Sequence, residues 1–109
     1  MSLIGRGRPR GSIIRQNIVE ILHIVGTGYA YEIYQIYLDI FPKVTMRSIY
    51  YHLHKGLTTN EFKIEEVKQE TGDYSWGPVT EKTYYCLGSL AEARGILIVK
   101  KYFENKKKD

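Results

Sequence analysis

The side chains best suited to chemistry lie in one short run, Ser48 to Leu57 (SIYYHLHKGL). Pro42-Lys43-Val44-Thr45 precedes it as a turn, with Thr45 a natural N-cap, and Gly56 is expected to close the helix as its C′ residue. At about 100° per residue, Met46, Ile49 and Leu53 fall on one side and can face a core. Arg47, Ser48, Tyr51, His54 and Lys55 fall on the other. An apolar stripe behind, with donors and an aromatic ring in front, is what a helix lying in a DNA major groove requires. Arg47 can bond a guanine edge in bidentate fashion, while Lys55 near the helix end suits a phosphate. Any amphipathic surface helix would show the same split, so its neighbours decide between the two readings.

Those neighbours are a helix pair before it and a hairpin after it. From Ser12 to Val25, apolar residues recur at Ile14, Ile18, Ile21, Leu22 and Val25, and Gly26 ends the stripe. From Tyr31 to Phe41 they recur at Ile33, Ile36, Tyr37 and Ile40, and Pro42 stops the helix. After Leu57, Glu61 to Gln69 partly alternates, which places Phe62, Ile64 and Val67 on the buried side of a strand. Thr71-Gly72-Asp73 and Trp76-Gly77-Pro78 are turn chemistry, and Glu81 to Gly88 returns with Tyr85 and Leu87 on one face. Helix, helix, turn, helix, hairpin is the order of a winged helix-turn-helix. A further helix is expected from Ser89, whose spacing to Glu92 fits a capping box, with a strand as the alternative that Gly95 and the β-branched Ile96, Ile98 and Val99 would suit. Ile96, Val99 and Phe103 line one side of it, and Ile98 and Tyr102 widen that stripe beyond what one small domain needs. A second copy of the chain could cover the two, and packing against the first helix of the same chain is the alternative.

In these segments the chain resembles the PadR-like winged-helix transcription regulators. The resemblance rests on GYAYEI (Gly28 to Ile33) opening the second helix, on SIYYHLHKGL, and on TYYCLGSLAEARG (Thr83 to Gly95). It covers roughly residues 28 to 95 and implies a winged helix, DNA binding and dimerisation through a C-terminal region. Two features depart from the family pattern: the terminal region is short and the middle of the wing is acidic.

A second motif precedes the first helix. Gly5-Arg6-Gly7-Arg8-Pro9-Arg10-Gly11 resembles an AT-hook, although the usual proline before the first arginine is absent. Glycine lets the backbone press towards a groove floor and proline holds it extended. Arg6, Arg8 and Arg10 can then enter a narrow minor groove, where A·T tracts deepen the negative potential. A plain basic arm, of the kind RNA-binding proteins also have, is the simpler alternative.

Charge is divided unevenly along the 109 residues. Residues 1–15 hold four arginines and no acid, and residues 100–109 hold five lysines against Glu104 and Asp109. Residues 16–99 hold 7 basic and 10 acidic side chains, so phosphate attraction is expected to come from the tails. In the hairpin, Lys63, Lys68 and Lys82 are outnumbered by acids, and the wing suits protein as well as DNA.

Other chemistries fail on spacing. His52 and His54 are two apart on a helix and point away from each other, so they cannot share a metal. Gly26-Thr27-Gly28 lacks the lysine and spacing of a phosphate loop. No serine or cysteine has a histidine and a carboxylate in a nucleophile pattern. Glu65-Glu66 should be solvated, and Tyr31, Tyr34, Tyr37 and Phe41 read as core rather than as a ligand cage. Tyr74 and Trp76, near the expected wing tip, suit contact with a partner and equally suit folding back onto the hairpin. One cysteine, Cys86, allows no intrachain disulfide and fits a reducing cytoplasmic interior. No apolar stretch approaches the roughly 18 residues of a membrane span.

The expectation is therefore an α+β, mainly α, winged helix-turn-helix: a three-helix core with a two-stranded wing over residues 12–88. A flexible basic arm (1–11) precedes it and a C-terminal helix (89–109) follows. The expected partners are double-stranded DNA and a second copy joined through Ile98 and Tyr102, with no cofactor, no metal, no membrane and no catalysis. DNA contacts are expected from Arg6, Arg8, Arg10, Thr45, Arg47, Ser48, Tyr51, His54 and Lys55. The alternatives are an RNA- or ribosome-associated winged helix and a protein-interaction module using the acidic wing.

Overall fold

A computed structural model describes residues 11–74 and 77–108 of the chain. The arm residues Arg6, Arg8 and Arg10, and Trp76, lie outside the described residues. Among the described residues, four helices and a three-stranded antiparallel sheet make an α+β, mainly helical arrangement. Among the described residues no helix is long and apolar enough to cross a membrane.

Helix α1 spans Gly11–Val25 and buries Ile18, Val19, Ile21 and Leu22. Gly26 ends it at φ +86°, a left-handed value that a side chain would resist, with its N–H bonded to the Leu22 carbonyl. Strand β1, Thr27–Tyr29, follows, then helix α2, Ala30–Ile40, which buries Ala30, Ile33 and Tyr37. Phe41 is extended (φ −116°, ψ 169°), as a residue before proline must be, and α2 stops there. Helix α3 is Met46–Thr59. Thr45 caps it in the expected way: its hydroxyl accepts from the Ser48 N–H at 3.1 Å.

Its far end departs from expectation. Gly56 is not the closing residue; α3 continues to Thr59, and Asn60 takes the left-handed cap at φ 66°. Gly56 is glycine for a different reason: a Cβ there would run into the Phe62 ring, which is 1% exposed. The first residue of the next strand thus packs directly on the helix backbone.

The hairpin pairs β2, Phe62–Tyr74, with β3, Gly77–Leu87. Both strands run further out than the composition suggests. Thr71-Gly72-Asp73 is not a turn but part of β2, where a register shift between Thr71 and Tyr74 absorbs it. A second irregularity, between Ile64 and Glu66, leaves Glu65 as a bulge. Ile64 and Val67 are exposed, not buried, as is every residue from 63 to 69. Only Phe62 of the expected β2 stripe reaches the core. Nor is the sheet two-stranded. β1 pairs with β3 (Tyr29 opposite Tyr84), giving the order β1-β3-β2.

The C-terminal helix α4 begins at Leu97, not Ser89, and runs to Lys108. The capping box therefore does not form. Residues 91–96 cross α1 as irregular chain, held there by a buried carboxylate. Glu20, 2% exposed, accepts from the N–H groups of Arg94 at 2.8 Å and Gly95 at 2.9 Å, and from Gln16 Nε2 at 2.8 Å. Gln16 also donates to the Glu92 carbonyl at 2.8 Å. These bonds outweigh the cost of burial and hold the carboxyl below its ordinary pKa, so an anion sits beside the N-terminus of α4. Val99 is buried and Phe103 packs on the core cluster, as their spacing predicts.

Candidate nucleic-acid interface

Helix α3 divides sharply. Ile49, His52, Leu53 and Gly56 are buried, and Met46 packs against the core. Thr45, Arg47, Tyr51, His54 and Lys55 are exposed, with Tyr51 at 58%, while Ser48 is half-buried beside the cap. The exposed face presents a guanidinium, an ammonium, a phenol, an imidazole and a hydroxyl. These are donors that can meet base edges and phosphates.

A buried polar cluster stiffens this helix from behind. His52, missed as a contributor from sequence, is 4% exposed, and Arg15 Nη1 lies 3.2 Å from its Nδ1. Arg15 Nε donates to Glu61 Oε1 at 2.7 Å, and the Thr59 hydroxyl donates to the same oxygen at 2.7 Å. Burial, and then the Arg15 guanidinium, push the His52 pKa down, with Glu61 opposing, so the ring is neutral at pH 7. Tyr51 stacks edge-on against it at 4.9 Å and 81°. A neutral, fixed imidazole thus orients an exposed tyrosine. Arg15, grouped with the basic N-terminal segment by sequence position, is committed to this cluster; its side chain is only 14% exposed.

The hairpin lysines are engaged locally. Lys68 lies 3.5 Å from Glu66 and 5.0 Å from the Tyr84 ring centroid. Lys82 lies 4.6 Å from the Tyr29 ring, and Tyr29 and Tyr84 meet edge to face at 5.4 Å. The result is a ladder of ammonium groups and tyrosines across the outer face of the sheet. Cys86 is half-buried and directs its thiol to Glu65 at 3.4 Å.

The two side chains expected to await a second copy differ. Ile98 is 53% exposed, but Tyr102 donates to Asp39 Oδ2 of its own α2 at 2.7 Å. Desolvation, and then that bond and the Asp39 charge, raise the Tyr102 pKa to about 12. Tyr102 is half-buried, and its hydroxyl is engaged within its own chain. Leu97, 63% exposed, stands beside Ile98 instead. Of the expected tyrosine stripe on α2, Tyr37 is core, whereas Tyr31 is 55% exposed. Among the described residues no group of three or more His, Cys, Asp or Glu side chains could hold a metal. No protein-family model matches the chain, and no curated protein matches it significantly.

Proposed function

We propose that the chain is a winged helix-turn-helix DNA-binding regulator of the cytoplasm, with α3 reading the major groove and the arginine arm entering the adjacent minor groove. The observation that supports this most is the division of α3. Ile49 and Leu53 anchor it at 0% exposure, while Arg47, Tyr51, His54 and Lys55 stand outward on a helix too well packed to be a loose surface element. The order of α1, α2, α3 and hairpin, and the resemblance to PadR-like regulators, favour the same reading. A homodimer through Leu97 and Ile98 would set two such helices at half-sites about one DNA turn apart.

Competition binding of A·T-rich duplex, G·C-rich duplex and structured RNA at two salt concentrations tests the reading. Duplex should win over RNA, and A·T-rich flanks should be preferred. Tighter binding of structured RNA at both salts would replace it with the RNA-associated alternative.

A further inference from the structure

The flank of α3 nearest the hairpin opens into a groove of about 360 Å³. Four elements build it, with Tyr29 at the end of β1. The N-terminal end of α2 contributes Tyr31, α3 contributes Tyr50 and His54, and β3 contributes Glu81 and Thr83 where it has run past its pairing with β1. Tyr29 and the buried Tyr85 form further aromatic walls. Tyr50 is 46% exposed and Tyr31 is 55% exposed, large fractions for aromatic rings with a core close at hand. The Tyr50 and His54 rings lie 6.4 Å apart and tilted by 30°, so two aromatic rings stand side by side along this flank. His54 also belongs to the exposed reading face, which makes the groove continuous with it.

Resting on the DNA-binding reading, we infer that this groove receives one unstacked nucleobase from the bound DNA. Aromatic rings on several sides suit a flat, desolvated π-system, which every base offers whatever its sequence. The Thr83 hydroxyl and the Glu81 carboxylate, one oxygen of which already accepts from Gln69 Nε2 at 3.2 Å, supply acceptors for a base carrying an exocyclic amine, such as adenine, and Lys82 on the same wall supplies a donor for a ring nitrogen. A small molecule with a flat ring could satisfy the walls equally well. The shared His54 favours DNA, because a duplex lying on Arg47, Tyr51 and Lys55 passes the mouth of the groove. Extrusion is easiest where a base already lacks a partner, so the preference should be greatest at such a site.

The test uses the full chain and three labelled duplexes of one sequence: fully paired, with a single unpaired adenine, and with an abasic site at that position. Fluorescence anisotropy should give about tenfold tighter binding of the unpaired-adenine duplex than of the other two, the scale set by one base–aromatic stack. Tyr50→Ala or Tyr31→Ala should abolish that difference and leave affinity for paired duplex unchanged, whereas Tyr50→Phe should keep it. Equal affinity of the wild type for all three duplexes overturns the inference and leaves groove reading by α3 standing. Persistence of the preference in both alanine variants overturns it as well. Failure to bind any duplex removes the DNA-binding reading and this inference together.

Discussion

Glu20 and His52 show how much of this fold depends on single protonation states. Both are buried, at 2% and 4% exposure, and each has partners that fit only one form. The Glu20 carboxylate accepts two backbone N–H groups and a glutamine amide, which hold its pKa below 4.5. Neutral His52 faces a guanidinium, and its pKa is held below 6.5. In both cases the folded pKa is depressed. The stabilisation is therefore complete above the ordinary value and disappears as pH falls through the folded one. Denaturant midpoints should hold steady above about pH 6.5, then decline with acid, first as His52 charges and then as Glu20 is neutralised. Glu20→Gln should lose about 1–3 kcal/mol at pH 7, since its NH2 group meets backbone donors, and should flatten the lower part of the decline. A midpoint unchanged between pH 7 and pH 3 would show that neither group matters to stability.

At the scale of elements, Gly56 sets two effects against each other. Alanine in a helix interior is favoured over glycine by about 1 kcal/mol, but a Cβ here meets the fixed ring of Phe62. Overpacking of that kind costs about 1–3 kcal/mol, so the clash should win. Urea unfolding of Gly56→Ala should show net destabilisation that Phe62→Leu partly relieves in the double variant; a stabilised Gly56→Ala would mean that β2 moves freely off α3. Nothing in the spacing of residues announced that role for Gly56, because it depends on a ring from the next element. The same limit explains the other departures. Helices α1 to α3 are legible because their apolar residues recur at the helical period, and Thr45 is legible because an N-cap acts locally. The start of α4 is not, since Ser89 and Glu92 have capping spacing while Glu20, 74 residues before Arg94, decides where the chain straightens into helix. β1 is too short to show a period, and only the edge of β3 makes it a strand. Thr71-Gly72-Asp73 has turn composition, yet a register shift in a paired strand uses the same residues. The exposed face of α3 was legible at Arg47, Tyr51, His54 and Lys55 but not at Ser48, which is half-buried beside the cap, while the aromatic groove beside it required four elements to be brought together.

For the whole molecule, charge and association govern behaviour. Arg15 is tied to Glu61, so Arg6, Arg8 and Arg10 are the arm charges left for phosphate. Each phosphate neutralised contributes about −0.9 to the slope of log K against log salt, and deleting residues 1–10 should shrink that slope by roughly two to three units. Loss of affinity without any change in slope would contradict an electrostatic arm. Leu97 and Ile98 remain exposed on α4, and burying them against a second copy would remove an apolar strip from water. Sedimentation should show a dimer at micromolar concentration that Leu97→Asp with Ile98→Asp turns into a folded monomer. A wild type already monomeric there would refute association through α4. The central claim is that α3 reads DNA, and base-by-base affinity of Arg47→Ala against Lys55→Ala tests it most directly. Arg47→Ala should cost about 1–3 kcal/mol at one base position and relax preference there, while Lys55→Ala should weaken all sequences alike. If Arg47→Ala leaves both affinity and base preference unchanged, α3 is not the reading element.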